Sequence, residues 1–291
     1  MSGVFIARRG PRAVTAVAAL AAAWAACLAR PAVAQQTTIT PAATQPGQGV
    51  VVSRSLAQWT SWDVDPARDG FDDVEELRFD LSLAYGLTGD MSLLANILVH
   101  RDFDGAGLSG PSDPTGVADP TIEFRHRFVN EPLGPVDTLR VSWFAGAELP
   151  VGRSELGSSS LDPYAGLALT YISGRLGLGA GLSYKATTGA SDRPLHPGDS
   201  TADMVRLTGS AAWRLHPKAW GTELEPAFYL TMELEGVYET SGEWLARLAP
   251  GLLLEAPTYA LELAVLLPVA EDVTRRPEHD VAVIAGVRLF F

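Results

Sequence analysis

The chain has 291 residues, 47% of them hydrophobic and 8% aromatic, with 22 basic against 34 acidic side chains and a formal net charge of −12 at pH 7. That acidity argues against nucleic acid as a partner, because a phosphate backbone needs a basic face. The one cysteine, Cys27, falls in the first 34 residues, so the rest of the chain has no thiol for a disulfide or a Cys-ligated metal.

Residues 1–34 read as a cleaved secretory signal. Arg8, Arg9 and Arg12 form its basic region, Val14 to Ala26 its apolar run, and Ala32-Val33-Ala34 an A-x-A cleavage site, so the mature protein is expected to begin at Gln35. The apolar run is shorter than the ~20 residues of a spanning helix. Processing at Cys27 as a lipoprotein is the weaker route, since Trp24 stands where a Leu-like residue is expected. The export segment takes away four arginines and no acid, so what remains is more acidic still. Residues 35–49, rich in Thr, Gln, Pro and Gly, offer little to bury and read as a flexible periplasmic lead-in.

From Val50 onward the apolar residues recur with a period of two. After a less regular first strand to Trp62 comes an acidic, turn-rich loop. Leu77, Phe79, Leu81, Leu83, Tyr85 and Leu87 then share one face of a strand, opposite Arg78, Asp80, Ser82, Ala84 and Gly86. Thr88-Gly89-Asp90 turns the chain into a partner strand carrying Leu93, Ala95 and Ile97 against Ser92, Leu94 and Asn96. Further strands are expected near 121–128, 138–149, 163–172, 175–185, 204–216, 223–237, 244–255 and 259–269. In the last, Val281, Val283, Ala285, Val287, Leu289 and Phe291 oppose Ala282, Ile284, Gly286, Arg288 and Phe290.

Twelve such strands, apolar on one face and mixed on the other, predict an all-β fold: a transmembrane antiparallel up-and-down barrel over 50–291. The connections support this. Long ones (Asp63 to Glu76, Asp102 to Pro120, Pro150 to Asp162, Thr187 to Asp203, Ala270 to Asp280, with the short Glu239 to Glu243) alternate with short ones. The short set is Thr88 to Asp90, Val129 to Asp137, Ser173-Gly174, Pro217 to Gly221 and Ala256 to Thr258. Outer-membrane barrels have long external loops and short periplasmic turns. Tyr85, Trp143, Tyr171, Tyr184, Trp213, Trp244 and Tyr259 lie toward strand ends, as interfacial girdles do.

The terminal Phe291 on an apolar face resembles the closing strand of bacterial outer-membrane barrels, and Val287, Leu289 and Phe291 are the residues that would form its assembly signal. Tyr85-Gly86-Leu87-Thr88, Asp119-Pro120-Thr121 before Arg127-Phe128, Leu149-Pro150-Val151-Gly152, Leu234-Glu235-Gly236, Ala249-Pro250-Gly251 and Leu267-Pro268-Val269 span most of the mature chain. In order and spacing they resemble the outer-membrane family of putative transporters of the meta-pathway of phenol degradation. Ala118 and Val151 depart from the Gly and Thr usual there. The resemblance implies a Gram-negative outer-membrane channel for small solutes, aromatic or otherwise hydrophobic compounds among them. Its expected partners are outer-membrane lipid and lipopolysaccharide, the barrel insertion machinery and the solute, with no cofactor.

The inward faces carry a charge network: Arg78, Asp80, Glu123, Arg125, Arg127, Arg140, Glu148, Arg206, Arg214, Glu223, Glu225, Glu233, Glu235, Arg247, Glu262 and Arg288, with Arg175, Lys185 and Glu255 beside them. Facing rows of opposite charge would set a transverse field for a solute, or pair across a narrow lumen and plug it. Arg125, Arg127 and Arg140 are expected to face Glu223, Glu225, Glu233 and Glu235. The acids Asp63, Asp65, Asp69, Asp72 and Asp73 could meet Ca²⁺ or the cations that bridge lipopolysaccharide, but their spacing fits no EF-hand frame. A barrel enzyme would need a nucleophile beside a His. Ser92 and His100 lie eight positions apart on one strand, roughly 26 Å at the usual rise, too far for a direct pair. A structural or adhesion barrel is the other alternative.

Overall fold

The computed structural model describes residues 36–63, 74–104, 116–152, 156–190, 196–219 and 225–291. The expected export segment, residues 1–34, lies outside the described residues, as do Asp65, Asp69, Asp72, Asp73 and Glu223. Twelve strands form one closed antiparallel barrel in chain order. They are β1 (Val51–Asp63), β2 (Val74–Gly86), β3 (Met91–Asp104), β4 (Thr121–Pro132), β5 (Thr138–Glu148), β6 (Asp162–Ser173), β7 (Leu176–Lys185), β8 (Met204–His216), β9 (Ala227–Glu239), β10 (Trp244–Glu255), β11 (Tyr259–Asp272) and β12 (Glu278–Phe290).

Each strand pairs with its sequence neighbour, and β12 pairs with β1 to close the ring. The last residue completes the seam: Phe291 N–H donates to the Val51 carbonyl at 2.9 Å, and Val51 N–H donates back at 3.1 Å. Closure gives every strand a neighbour on both sides, which is what lets a sheet sit in hydrocarbon, although β3 meets β4 only over residues 91–96.

The period-two pattern sets the register. Leu93, Ile97, Leu167, Leu207, Leu230, Leu234, Leu261 and Leu289 are exposed outside, while Ala212, Tyr229, Leu253, Ala282, Ile284 and Phe290 are buried inside. Outward aromatics cluster near the rims, with Tyr85, Trp213 and Tyr259 toward the short-turn end and Trp59, Tyr184, Tyr238 and Trp244 toward the long-loop end.

Several connections differ from the lengths expected, among them the β4–β5 turn, which shortens to 133–137 because β4 runs to Pro132. Hydrogen bonding extends β11 to Asp272 and starts β12 at Glu278, leaving only 273–277 between them. Conversely β9 begins at Ala227, so the 217–226 turn is longer than read, and Glu225 lies at the rim rather than on a strand.

The larger correction concerns residues 36–49. They do not hang below the barrel; Thr37, Thr38, Thr40, Ala42, Ala43 and Gln45 are buried inside it. The chain turns back before β1, where Gly49 N–H bonds to the Gly86 carbonyl, and runs round the inner wall past β3, β5, β6, β7 and β9. Gln36 ends beside Arg288 of β12. Room for it comes from missing side chains. A Cβ on Gly181 would lie 2.6 Å from Pro41, and one on Gly86 would collide with the Gly47 carbonyl. Ile39 packs against Ala249, Leu266, Ala282 and Ile284, and Ala43 packs against Phe144 and Ala168.

The interior is therefore lopsided. Around β8 to β12, apolar side chains fill the lumen, with Tyr229, Leu253, Ala260 and Phe290 forming one packed group. On the opposite side a cavity of about 950 Å³ remains, walled by β1 to β8 and β12, the N-terminal segment, and loop residues such as Leu156, His196 and Asp199.

Candidate functional site: the lumen

The site is this cavity, and its wall is built from ion pairs that alternation aims inward. On β2, Arg78 grips Asp80 two residues along, with Nη2 to Oδ1 at 3.1 Å and Nε to Oδ2 at 3.2 Å. Arg125 pairs in the same way with Glu123 on β4. Both pairs follow from strand geometry, since residues i and i+2 share a face less than ~7 Å apart. Lys185 bonds Glu148 at 2.7 Å and lies 3.8 Å from Asp162.

Other pairs cross between strands. Glu235 on β9 takes Arg206 of β8 at 2.6 Å and Arg247 of β10 at 2.5 Å. Glu262 on β11 takes Arg54 of β1 through one guanidinium edge, Nε at 2.7 Å and Nη2 at 2.6 Å, with Arg288 at 3.5 Å. Such forked bonds hold a carboxylate in orientation as well as place.

The expected rows of opposite charge do not face each other across the lumen. Arg125 is taken by its own strand, and Arg127 reaches the β2–β3 turn, bonding Asp90 at 2.7 Å and the Gly89 carbonyl. Arg140 bonds Thr44 and Asn130 and no carboxylate among the described residues. Glu225 is a rim residue 3.6 Å from His216. Arg214 is buried, its Nε donating to the Pro217 carbonyl. Arg175 lies against the outward ring of Trp213 instead of facing the lumen. Glu255 is buried near the short-turn rim.

Glu233 has a different partner altogether. Its carboxylate accepts the Thr37 hydroxyl and the N–H groups of Thr38, Ile39 and Thr40, the shortest at 2.7 Å. Arg54 donates to the Thr37 and Thr38 carbonyls, Ala43 N–H to Thr170 Oγ1, and Ser92 to Gln45. The segment's buried backbone is thereby satisfied by wall side chains rather than by a sheet ladder.

At the long-loop end, loops fold over the mouth. His196 Nε2 is 2.5 Å from Glu76 of β2 and stands edge-on to Trp62 of β1, with His279 on another side of the same indole. Arg276 lies between Glu239 and Glu243, and Glu239 also accepts the Gly198 N–H. Asp119 accepts the N–H groups of Gly152 and Ser159, at 2.7 and 2.8 Å, and Leu156 is buried.

Sequence reasoning missed Arg54, Glu76, Glu239, Arg276 and the whole of 36–49 as lumen components. A signal for the last was present: Gly177, Gly179 and Gly181 leave the inner face of β7 bare. Among the described residues no group of three or more His, Cys, Asp or Glu could hold a metal ion. Asp63 is exposed at the end of β1, and the other proposed calcium ligands lie outside the described residues. Ser92 is turned to Gln45, and the His100 side chain is likewise outside them.

No protein-family model matches this sequence. No curated protein matches it either. Among solved structures it is similar to an outer membrane channel from Pseudomonas putida F1, at 13% identity and a TM-score of 0.55, over 87% of this chain and 100% of that one. The barrel has the fold of an outer-membrane channel. Weaker likenesses are to the NanC porin (12% identity, TM-score 0.45, 82% and 98% of the two chains) and to the outer membrane phospholipase A of Escherichia coli (15%, 0.39, 87% and 94%).

Proposed function

We propose that this protein is an outer-membrane channel that passes small solutes through a narrow, ion-paired passage. The observation that carries this reading is the cavity of about 950 Å³, polar on its wall and set between the N-terminal segment and the infolded loops. A barrel whose interior were meant only to be filled would have no reason to place charged groups around open space, since buried charge is costly unless solvated or paired. Long loops then face outward from the cell and the short turns face the periplasm, with the N-terminal segment held inside the lumen toward the periplasmic end. The resemblance to the phenol-degradation transporters, together with Phe144 and Tyr164 on the wall, supports small aromatic or other hydrophobic compounds as solutes.

The test is single-channel conductance of the purified protein in planar bilayers. The full-length mature chain should give small, steady openings, far below those of a general porin. A variant lacking residues 36–45 should conduct several times more, because a strip about ten residues long no longer occupies the lumen. Conductance of the intact chain already at general-porin level, or unchanged by the deletion, would overturn the reading.

A further inference from the structure

We infer that the passage prefers anions, and that small carboxylates are the class of solute it accepts; the inference rests on the channel reading above. Counted on the inward faces, acids and bases nearly balance. They are not at equal depth. In the Arg206–Glu235 pair the arginine side chain is 39% exposed and the glutamate 2%; for Arg54–Glu262 the values are 15% and 2%, for Arg125–Glu123 15% and 6%, and for Arg78–Asp80 24% and 11%. Two pairs run the other way: Lys185 and Glu148, at 13% and 18%, and Arg127 and Asp90, at 11% and 55%, where Asp90 belongs to the β2–β3 turn and is not on the cavity wall. The reason is stem length: a carboxylate stays against the wall while the longer guanidinium stem carries its charge into the water.

The same sorting appears around the cavity as a whole. Eight of its lining residues are Arg or Lys and five are Asp or Glu. Glu233, Glu235 and Glu262 are turned away from it, the first onto the backbone of residues 38–40 and the others onto arginines. A wall that is neutral in composition thus presents a positive surface to whatever passes.

Arg140 marks the strongest point. It lines the cavity where the N-terminal segment crosses β5, its bonds go to the uncharged Thr44 and Asn130, and no carboxylate among the described residues lies within ion-pairing distance. The segment itself contains no charged residue to neutralise it. A guanidinium with unspent donors matches the two oxygens of a carboxylate. Phe144, beneath Arg125 at 5.5 Å, and Tyr164 give the carbon part of such a solute an apolar surface.

Reversal potential under a KCl gradient decides the matter, repeated with potassium acetate. The wild type should pass the anion in preference to K⁺ in both salts. Arg140→Glu should lower the anion-to-cation permeability ratio by about tenfold, as expected when two unit charges change a few ångströms from the ion path. Arg140→Lys should keep the preference. If Arg140→Glu does not fold, Arg140→Gln, which can still bond Thr44, should lower the ratio by a smaller factor in the same direction. Steady conductance with cation preference, or with none, would overturn the anion inference while leaving the channel standing. Preference for chloride but not acetate would overturn the carboxylate class. Absence of any conductance, in the wild type and in the chain lacking residues 36–45 alike, would overturn the channel reading itself.

Discussion

Glu233 is a single carboxylate that accepts four bonds from one stretch of chain: the Thr37 hydroxyl and three consecutive amides. Hydrogen bonds to a charged acceptor contribute about 1.5 to 3 kcal/mol each when made. Glu233→Gln keeps the shape but turns an NH₂ group toward N–H donors, so it should release the segment rather than the barrel. The expected outcome is raised conductance and a denaturation midpoint shifted down by roughly 3 kcal/mol equivalent, with the strand content seen by circular dichroism unchanged. Two neighbours at the C-terminus make a second comparison. Phe290 is 2% exposed in the packed group with Tyr229 and Leu253, while Leu289 faces lipid. Phe290→Ala should cost about 3 to 5 kcal/mol by opening a cavity, and Leu289→Ala much less, measured by guanidinium denaturation in detergent. Phe290 therefore matters to the finished barrel even though the resemblance draws attention to Phe291, whose backbone closes the seam.

Among the elements, the strands and their neighbours in the ring were legible and the partners of their inward side chains were not. Alternation gave the faces of β2, β7, β9 and β12 correctly because lipid on one side and lumen on the other leave no second register that works. It said nothing about which arginine meets which acid across a ring. Arg125–Glu123 was in principle readable as an i, i+2 pair, whereas Arg206–Glu235 depends on the stagger of two neighbouring strands and Arg54–Glu262 reaches past β12 from β1 to β11. The loops at the mouth depend on similar long-range bonds. Burial pushes the Glu243 carboxyl up, but the amides of Thr274 and Arg275 and the Arg276 guanidinium outweigh it and hold the group below its ordinary 4.5. With the folded value depressed, its contribution to anchoring the 240–243 and 273–277 connections is present above the unfolded value and is lost as pH falls through the folded one. Amide shifts of Thr274 and Arg275 should accordingly titrate with a midpoint below 4.5, and Glu243→Gln should abolish that titration.

On the scale of the whole molecule, the residues that looked least structured do the most to shape the lumen. Residues 36–49 have the composition of a loop, and apart from Arg54, which bonds the Thr37 and Thr38 carbonyls, the wall side chains that hold them lie far along the chain. Their partners are Ser92, Arg140, Thr170, Glu233 and Arg288, and sequence separations reach 196 to Glu233 and 252 to Arg288. That spacing has a consequence for the order of assembly. The segment is the first part of the described chain to be made, yet the wall it rests on is completed only when β9, β11 and β12 are in place. Contacts so distant along the chain are formed late, after the loop-closure entropy of everything between has been met. The barrel must therefore finish, or close around, a tail that has been without a seat until then, so that the first-made stretch of the described chain is among the last to find its structure.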